Sequence, residues 1–148
     1  MNLRRKLAVC SVALIIPVIR THDDIRTSPE ALQIIGESEG CFLQAYTCPA
    51  GLLTDGIGKT TGVTSGRILS VEDVARNSLR DIREAEKCID TQFMGKNMPE
   101  DTYGAMVSAA FNLGCYRLMT YYDVAAGHRI ETTIHKKAMR MEWEEMCK

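Results

Sequence analysis

Residues 7–19 read LAVCSVALIIPVI, a run without charge between the basic cluster Arg4, Arg5, Lys6 and a terminating Arg20. A basic cluster ahead of an apolar core is the pattern of an export signal. As a helix the run is about 20 Å long at 1.5 Å per residue. That is short against a hydrocarbon core of about 30 Å. Ala8, Cys10, Ser11, Ala13 and Pro17 weaken its hold on lipid further. Downstream stand Val18, Ile19, Arg20, Thr21 and His22, without the small-residue pattern that a signal peptidase needs. The expectation is therefore an uncleaved, weakly held anchor. Basic residues before the run keep the N-terminus in the cytoplasm, so the chain beyond Arg20 is expected in the periplasm. Six cysteines in 148 residues agree with an oxidising compartment.

A chain of this length is one ordinary domain. With Lys+Arg 18 against Asp+Glu 19, the formal charge is −1, which excludes the broad basic footprint of a nucleic-acid binder. A hydrophobic content of 45% excludes wholesale disorder. We expect residues 1–27 to form the anchor segment and a polar link, and residues 28–148 to form the folded domain.

Within that domain, Ser28 and Pro29 suit the N-cap and first position of a helix fading near Gly40. Short apolar and polar residues then alternate over 42–57, broken at Pro49-Ala50-Gly51, which predicts a β-hairpin. Gly56, Gly58, Gly62 and Gly66 mark loop. Ser70 and Asp73 resemble a capping box opening a helix towards Phe93. Pro99 opens another helix, whose Tyr103, Met106, Val107, Ala110 and Phe111 form an apolar stripe ending at Gly114. A short helix is expected at 118–125, ending at Gly127, and a last one from about 131 to the terminus. The fold class is α+β: a helix, a small hairpin, then a mainly helical body.

Glu39, Cys48, Thr54 and Asp55 gather at the first helix end and in the hairpin. A carboxyl at a helix end across from a polar group suits hydrolysis with a positioned water. By spacing alone, solvated surface residues could fall the same way. The order Glu39-Gly40, then Cys48, then Thr54 gives E-x8-C-x5-T, which resembles the triad E-x8-[D/C]-x5-T of phage-type lysozymes. Thr54-Asp55-Gly56-Ile57-Gly58 resembles that family's T-x-G-x-G hairpin, and Phe111-Asn112-Leu113-Gly114 its F-N-x-G helix. With the N-terminal run, the resemblance is to signal-anchor-release endolysins regulated by disulfide exchange. It covers about residues 6–147. Members of that family usually continue for several tens of residues, with further C-terminal helices and one more cysteine.

The resemblance implies a phage-lysozyme-like fold and a muramidase. Such an enzyme cuts the β-1,4 bond between N-acetylmuramic acid and N-acetylglucosamine in peptidoglycan during host-cell lysis. Glu39 would protonate the leaving oxygen, Thr54 would orient the attacking water, and Cys48 would hold or deprotonate that water. Asp55 neighbours Thr54, and adjacent strand residues point to opposite faces, so both should not face the site. A lytic transglycosylase is the alternative enzyme, and a shortened, inactive peptidoglycan binder the alternative from another class. Partners are peptidoglycan glycan strands and the inner membrane through residues 7–19, with release to the soluble periplasm on activation. A monomer is expected, with no cofactor.

The resemblance also implies a switch. A Cys41–Cys48 bridge would consume the Cys48 thiol. Once Cys10 leaves the bilayer it would attack Cys41, form Cys10–Cys41 and free Cys48. The same resemblance implies a structural Cys115–Cys147 bridge and an unpaired Cys88. No C-x2-C pair is present, and His22, His128 and His135 lie away from the cysteines in sequence. Zinc is therefore not expected, and these histidines read as surface residues.

Overall fold

The computed structural model describes residues 9–22, 24–146 and 148. Arg4, Arg5, Lys6, Leu7, Ala8 and Cys147, which carry part of the sequence-based reading, lie outside them. The chain forms two compact units. The first comprises the described residues of Met1–Ile25 together with Leu32–Arg80, and the second Arg26–Ala31 with Asp81–Lys148.

The first unit opens on α1 (Val12–Arg20), with Pro17 inside it. Helix α2 (Pro29–Glu39) starts where Ser28 Oγ accepts from the Ala31 N–H at 3.2 Å. It stops at Gly40, whose φ of +73° an L side chain would resist. Strands β1 (Phe42–Thr47) and β2 (Leu53–Gly56) form the antiparallel hairpin. Between them, the Gly51 N–H donates to Cys48 O at 2.8 Å and the Cys48 N–H to Leu52 O at 2.9 Å, closing the Pro49-Ala50 turn. The helix α3 (Val71–Gln92) begins in a reciprocal capping box. The Asp73 N–H donates to Ser70 Oγ at 3.0 Å, and the Ser70 N–H to Asp73 Oδ2 at 3.1 Å.

The segment expected as a separate anchor is part of this unit's core. Ile15 and Ile19, one turn apart on α1, are buried. Val9 bridges Phe42, and the Cys10 N–H donates to Cys41 O at 3.0 Å. Gly36 on α2 admits Val12, because a Cβ there would overlap the Val12 methyls. Burying two isoleucines stabilises the docked segment by about 1.5–3 kcal/mol each. Among the described residues no helix is long and apolar enough to cross a membrane.

In the second unit, Ile82, Ala85, Ile89 and Phe93 are buried together with Tyr103, Met106, Val107 and Ala110 of α4 (Glu100–Leu113). The apolar stripe is as expected, except that Phe111 is only half-buried. Two polar anchors fix the segment entering α2. The Thr27 N–H and hydroxyl both donate to Glu86 Oε1 at 2.6 Å. Arg26 lies 3.8 Å over the Tyr103 ring and donates to Gly95 O, Met98 O and Glu100.

Three expectations need correction here. The helix expected at 118–125 is not formed: α5 (Cys115–Met119) ends at Met119 and residues 120–125 are not helical. Instead β3 (Thr120–Asp123) pairs antiparallel with β4 (His128–Glu131) as a second hairpin. Asp123 starts its turn, accepting from the Ala126 and Gly127 N–H groups at 2.8 and 2.9 Å, with Gly127 at φ +72°. The last helix does not run to the terminus. Helix α6 (Thr133–Met139) stops before Met141, which takes φ +57°, and among the described residues only the 3-10 turn Trp143–Glu145 follows.

The third correction concerns the structural disulfide. Cys115 pairs with Cys88, their Cα atoms 5.8 Å apart, so Cys115–Cys147 is excluded and Cys88 is not unpaired. Gly114 ends α4 at φ +79° and sets Cys115 at the start of α5, within bridging distance of α3.

Candidate active site

Glu39, Cys48 and Thr54 all belong to the first unit. Glu39 is the last residue of α2 and half-buried, and burial raises its carboxyl above the usual range. Gly58, at φ +65°, comes so close that a Cβ there would fall on the Glu39 carboxylate. The second glycine of the T-x-G-x-G pattern thus makes room for this carboxyl. A proton held to higher pH makes Glu39 a competent general acid.

The hairpin register aligns the rest. Thr54 stands directly opposite Tyr46, and Cys48 follows Tyr46 by two residues. Opposed residues share a face, so Tyr46 and Thr54 point the same way, and the Thr54 hydroxyl also influences Cys48, the residue that follows the strand. The Glu39 and Cys48 charges both raise the Tyr46 phenol, after burial, which puts them within electrostatic reach of one ring.

Cys48 is a free thiol, lowered chiefly by the Thr54 hydroxyl and then by hydrogen bonding from Leu52. Thr54 Oγ1 also lies 3.1 Å from Leu52 O. One hydroxyl proton cannot serve both acceptors. With Cys48 as thiol, Thr54 donates to the Leu52 carbonyl. With Cys48 as thiolate, the proton turns to sulfur and the anion is stabilised. Thr54→Ala should therefore raise the Cys48 pKa as well as impair hydrolysis. The pH dependence of Cys48 alkylation checks this: the thiolate limb of the rate should move to higher pH.

Cys10 and Cys41 form the other disulfide, their Cα atoms 5.1 Å apart. Of the three cysteines expected in the exchange, two are bonded and Cys48 is free.

Asp55 is buried on the opposite side of β2 from Thr54, as strand alternation requires. Burial raises its carboxyl, while Lys59 and Arg67 oppose the rise. Its chemistry is directed away from Cys48. His135 is not the surface residue expected from sequence. It is half-buried, with Nε2 2.8 Å from Gln92 O and Nδ1 2.6 Å from Glu131 Oε1. Tyr46 is the site residue that sequence reasoning missed. Its signal was the hairpin itself, whose register sets Tyr46 opposite Thr54.

A helix-end carboxyl raised by burial, in the same unit as a hairpin carrying a thiol and a hydroxyl, is the arrangement of side chains that a lysozyme-type glycoside hydrolase needs. The chain belongs to the phage lysozyme family, whose model matches residues 36–147. The SAR-endolysin of Escherichia phage P1 is 46% identical over 140 residues, covering 95% of this chain and 76% of the relative. The solved active form of P1 phage endolysin Lyz matches with a TM-score of 0.90 at 46% identity, over 95% of this chain and 79% of that one. The secreted inactive form of the same endolysin matches with a TM-score of 0.50 at 50% identity, over 68% of this chain and 63% of that one.

Proposed function

We propose that this chain is an endolysin that hydrolyses the β-1,4 bond between N-acetylmuramic acid and N-acetylglucosamine, with Cys48 controlled by disulfide exchange. The observation that carries the reading is that Cys48 is free, its thiol lowered by the neighbouring Thr54 hydroxyl, while Cys10 holds Cys41. The close match to the active form of the P1 endolysin, against the poorer match to its inactive form, supports reading this arrangement as the competent one.

Glu39 donates its proton to the leaving glycosidic oxygen as the bond breaks. Thr54 orients the attacking water, and the lowered Cys48 thiolate takes up the proton that this water loses. Disulfide exchange sets whether that thiolate exists. In the resting enzyme Cys41 is bonded to Cys48. The Cys10 thiolate attacks Cys41 Sγ, the Cys10–Cys41 bond forms, and Cys48 leaves as a thiolate with no net oxidation. Residues 7–19 hold the resting enzyme at the inner membrane, with the catalytic part in the periplasm. On release, Ile15 and Ile19 exchange lipid for the core of the first unit. Docking of α1 thus offsets the cost of leaving the bilayer and brings Cys10 beside Cys41.

Product analysis tests the reaction. Digested peptidoglycan should end in reducing N-acetylmuramic acid. Anhydro-muramic ends would show a transglycosylase that uses the acid without an activated water. Binding without any new ends would show an inactive peptidoglycan binder.

A further inference from the structure

At the end of β2 the chain makes a tight turn that stops against the candidate acid. The Asp55 N–H donates to Lys59 O at 2.9 Å and the Lys59 N–H to Asp55 O at 3.0 Å, so the turn is closed from both sides. Its inner residues are Gly56, Ile57 and Gly58. Ile57 is buried and holds the tip in the core of the first unit. Gly58 leaves the tip at φ +65°. A Cβ built on it would overlap Glu39 Oε2 and lie 3.0 Å from Cδ and 3.3 Å from Cγ. The three heavy atoms nearest to that point therefore all belong to the Glu39 side chain. The paired backbone and the buried Ile57 leave the turn little room to retreat.

We propose that Gly58 is a positioning residue for the hydrolysis: pinned by the Asp55–Lys59 pair and by Ile57, it is the stop on which the Glu39 carboxyl is seated, and that stop fixes where the acid presents its proton. This inference rests on Glu39 being the acid. A glutamate side chain has several staggered conformers, and proton donation needs one of them. A misplacement of about 1 Å costs on the order of 10²-fold in rate. The bare Cα of Gly58 closes the seat on one side without filling it, so the carboxyl is held and partly shielded from water at once. Burial is what raises Glu39. Tyr46 feels the Glu39 charge, whereas Asp55 interacts with Lys59 and Arg67. A side chain at position 58 pushes the carboxyl off its seat towards solvent, where it ionises at lower pH.

The test compares Gly58→Ala with alanine at two other glycines that share its left-handed backbone. At Gly56, φ +56°, a Cβ would stand 3.8 Å from Val74 Cγ1, an ordinary contact, and at Gly62, φ +67°, it would meet nothing within 4 Å. All three alanines bear similar backbone strain, but Gly58→Ala alone intrudes on Glu39. On soluble peptidoglycan fragments, released Gly58→Ala should lose about 10²-fold in kcat, while Gly56→Ala and Gly62→Ala stay within about threefold of wild type. A carbon-13 titration should move the Glu39 carboxyl to lower pH in Gly58→Ala and leave it in place in the other two. If Gly58→Ala does not fold, the double variant Glu39→Ala, Gly58→Ala should, because removing the carboxyl removes the overlap. A double variant that also fails to fold would overturn the stop. So would a folded Gly58→Ala with wild-type kcat or a wild-type Glu39 titration, or equal losses in all three alanine variants. Glu39→Gln separates the two claims. If that variant is active, Glu39 is not the acid, and the titration alone decides whether Gly58 seats it. If it is inactive while Gly58→Ala keeps wild-type kcat, only the role of Gly58 fails.

Discussion

Glu39→Gln removes cell-wall hydrolysis from a protein that still folds. The amide matches the carboxyl in shape but cannot give a proton to the leaving oxygen, and general acid catalysis contributes about 10²- to 10⁴-fold. Folding is expected to survive because the substitution relieves a cost. Burial raises the Glu39 pKa, so the folded state binds this proton more tightly than the unfolded chain does. The ionised side chain therefore destabilises the fold as pH rises from the unfolded value through the folded one. Gln carries no such charge, so the variant should be at least as stable as wild type at neutral pH and lose that advantage in acid. Turbidity clearing with thermal melts at both pH values checks the pair. Near-normal clearing would remove Glu39 from its role.

The second large effect concerns Cys10. In Cys10→Ser the side chain is of similar size, so the segment should still leave the membrane and dock through Ile15 and Ile19. The attacking thiolate is missing, so the Cys41–Cys48 bridge should persist and the released protein should stay inactive until reductant is added. In the double variant Cys10→Ser, Cys41→Ser no bridge can form at Cys41. Cys48 is then free, and activity should return without reductant. Lysis assays on equal amounts of released protein distinguish these outcomes. Full activity of Cys10→Ser without reductant would mean that Cys48 does not depend on exchange.

The starts of α2 and α3 and the first hairpin were legible in the sequence because their signals are local. Ser28-Pro29, the Pro49-Ala50-Gly51 turn and the Ser70/Asp73 box each state a backbone geometry within a few residues, and the chain adopts all three. Glu39, Cys48 and Thr54 could be singled out only because their spacing resembles a family pattern. The face that Tyr46 and Thr54 share follows from the hairpin register. The second hairpin escaped because its four-residue strands are too short to establish alternation. The turn signal was present in Asp123 and Gly127. Nothing local marks Met141 as a left-handed residue that ends the last helix. Cysteine spacing leaves connectivity open, so Cys88–Cys115 needed the fold. The N-terminal run was read for lipid alone. Yet Ile15 and Ile19, four residues apart, also form the stripe by which α1 enters a protein core.

The most direct test of the account is a non-reducing peptide map, with thiols trapped in acid, of membrane-bound and released protein from the same culture. The account predicts Cys41–Cys48 with free Cys10 in the membrane fraction, and Cys10–Cys41 with free Cys48 in the released fraction. The same pairing in both fractions would contradict it.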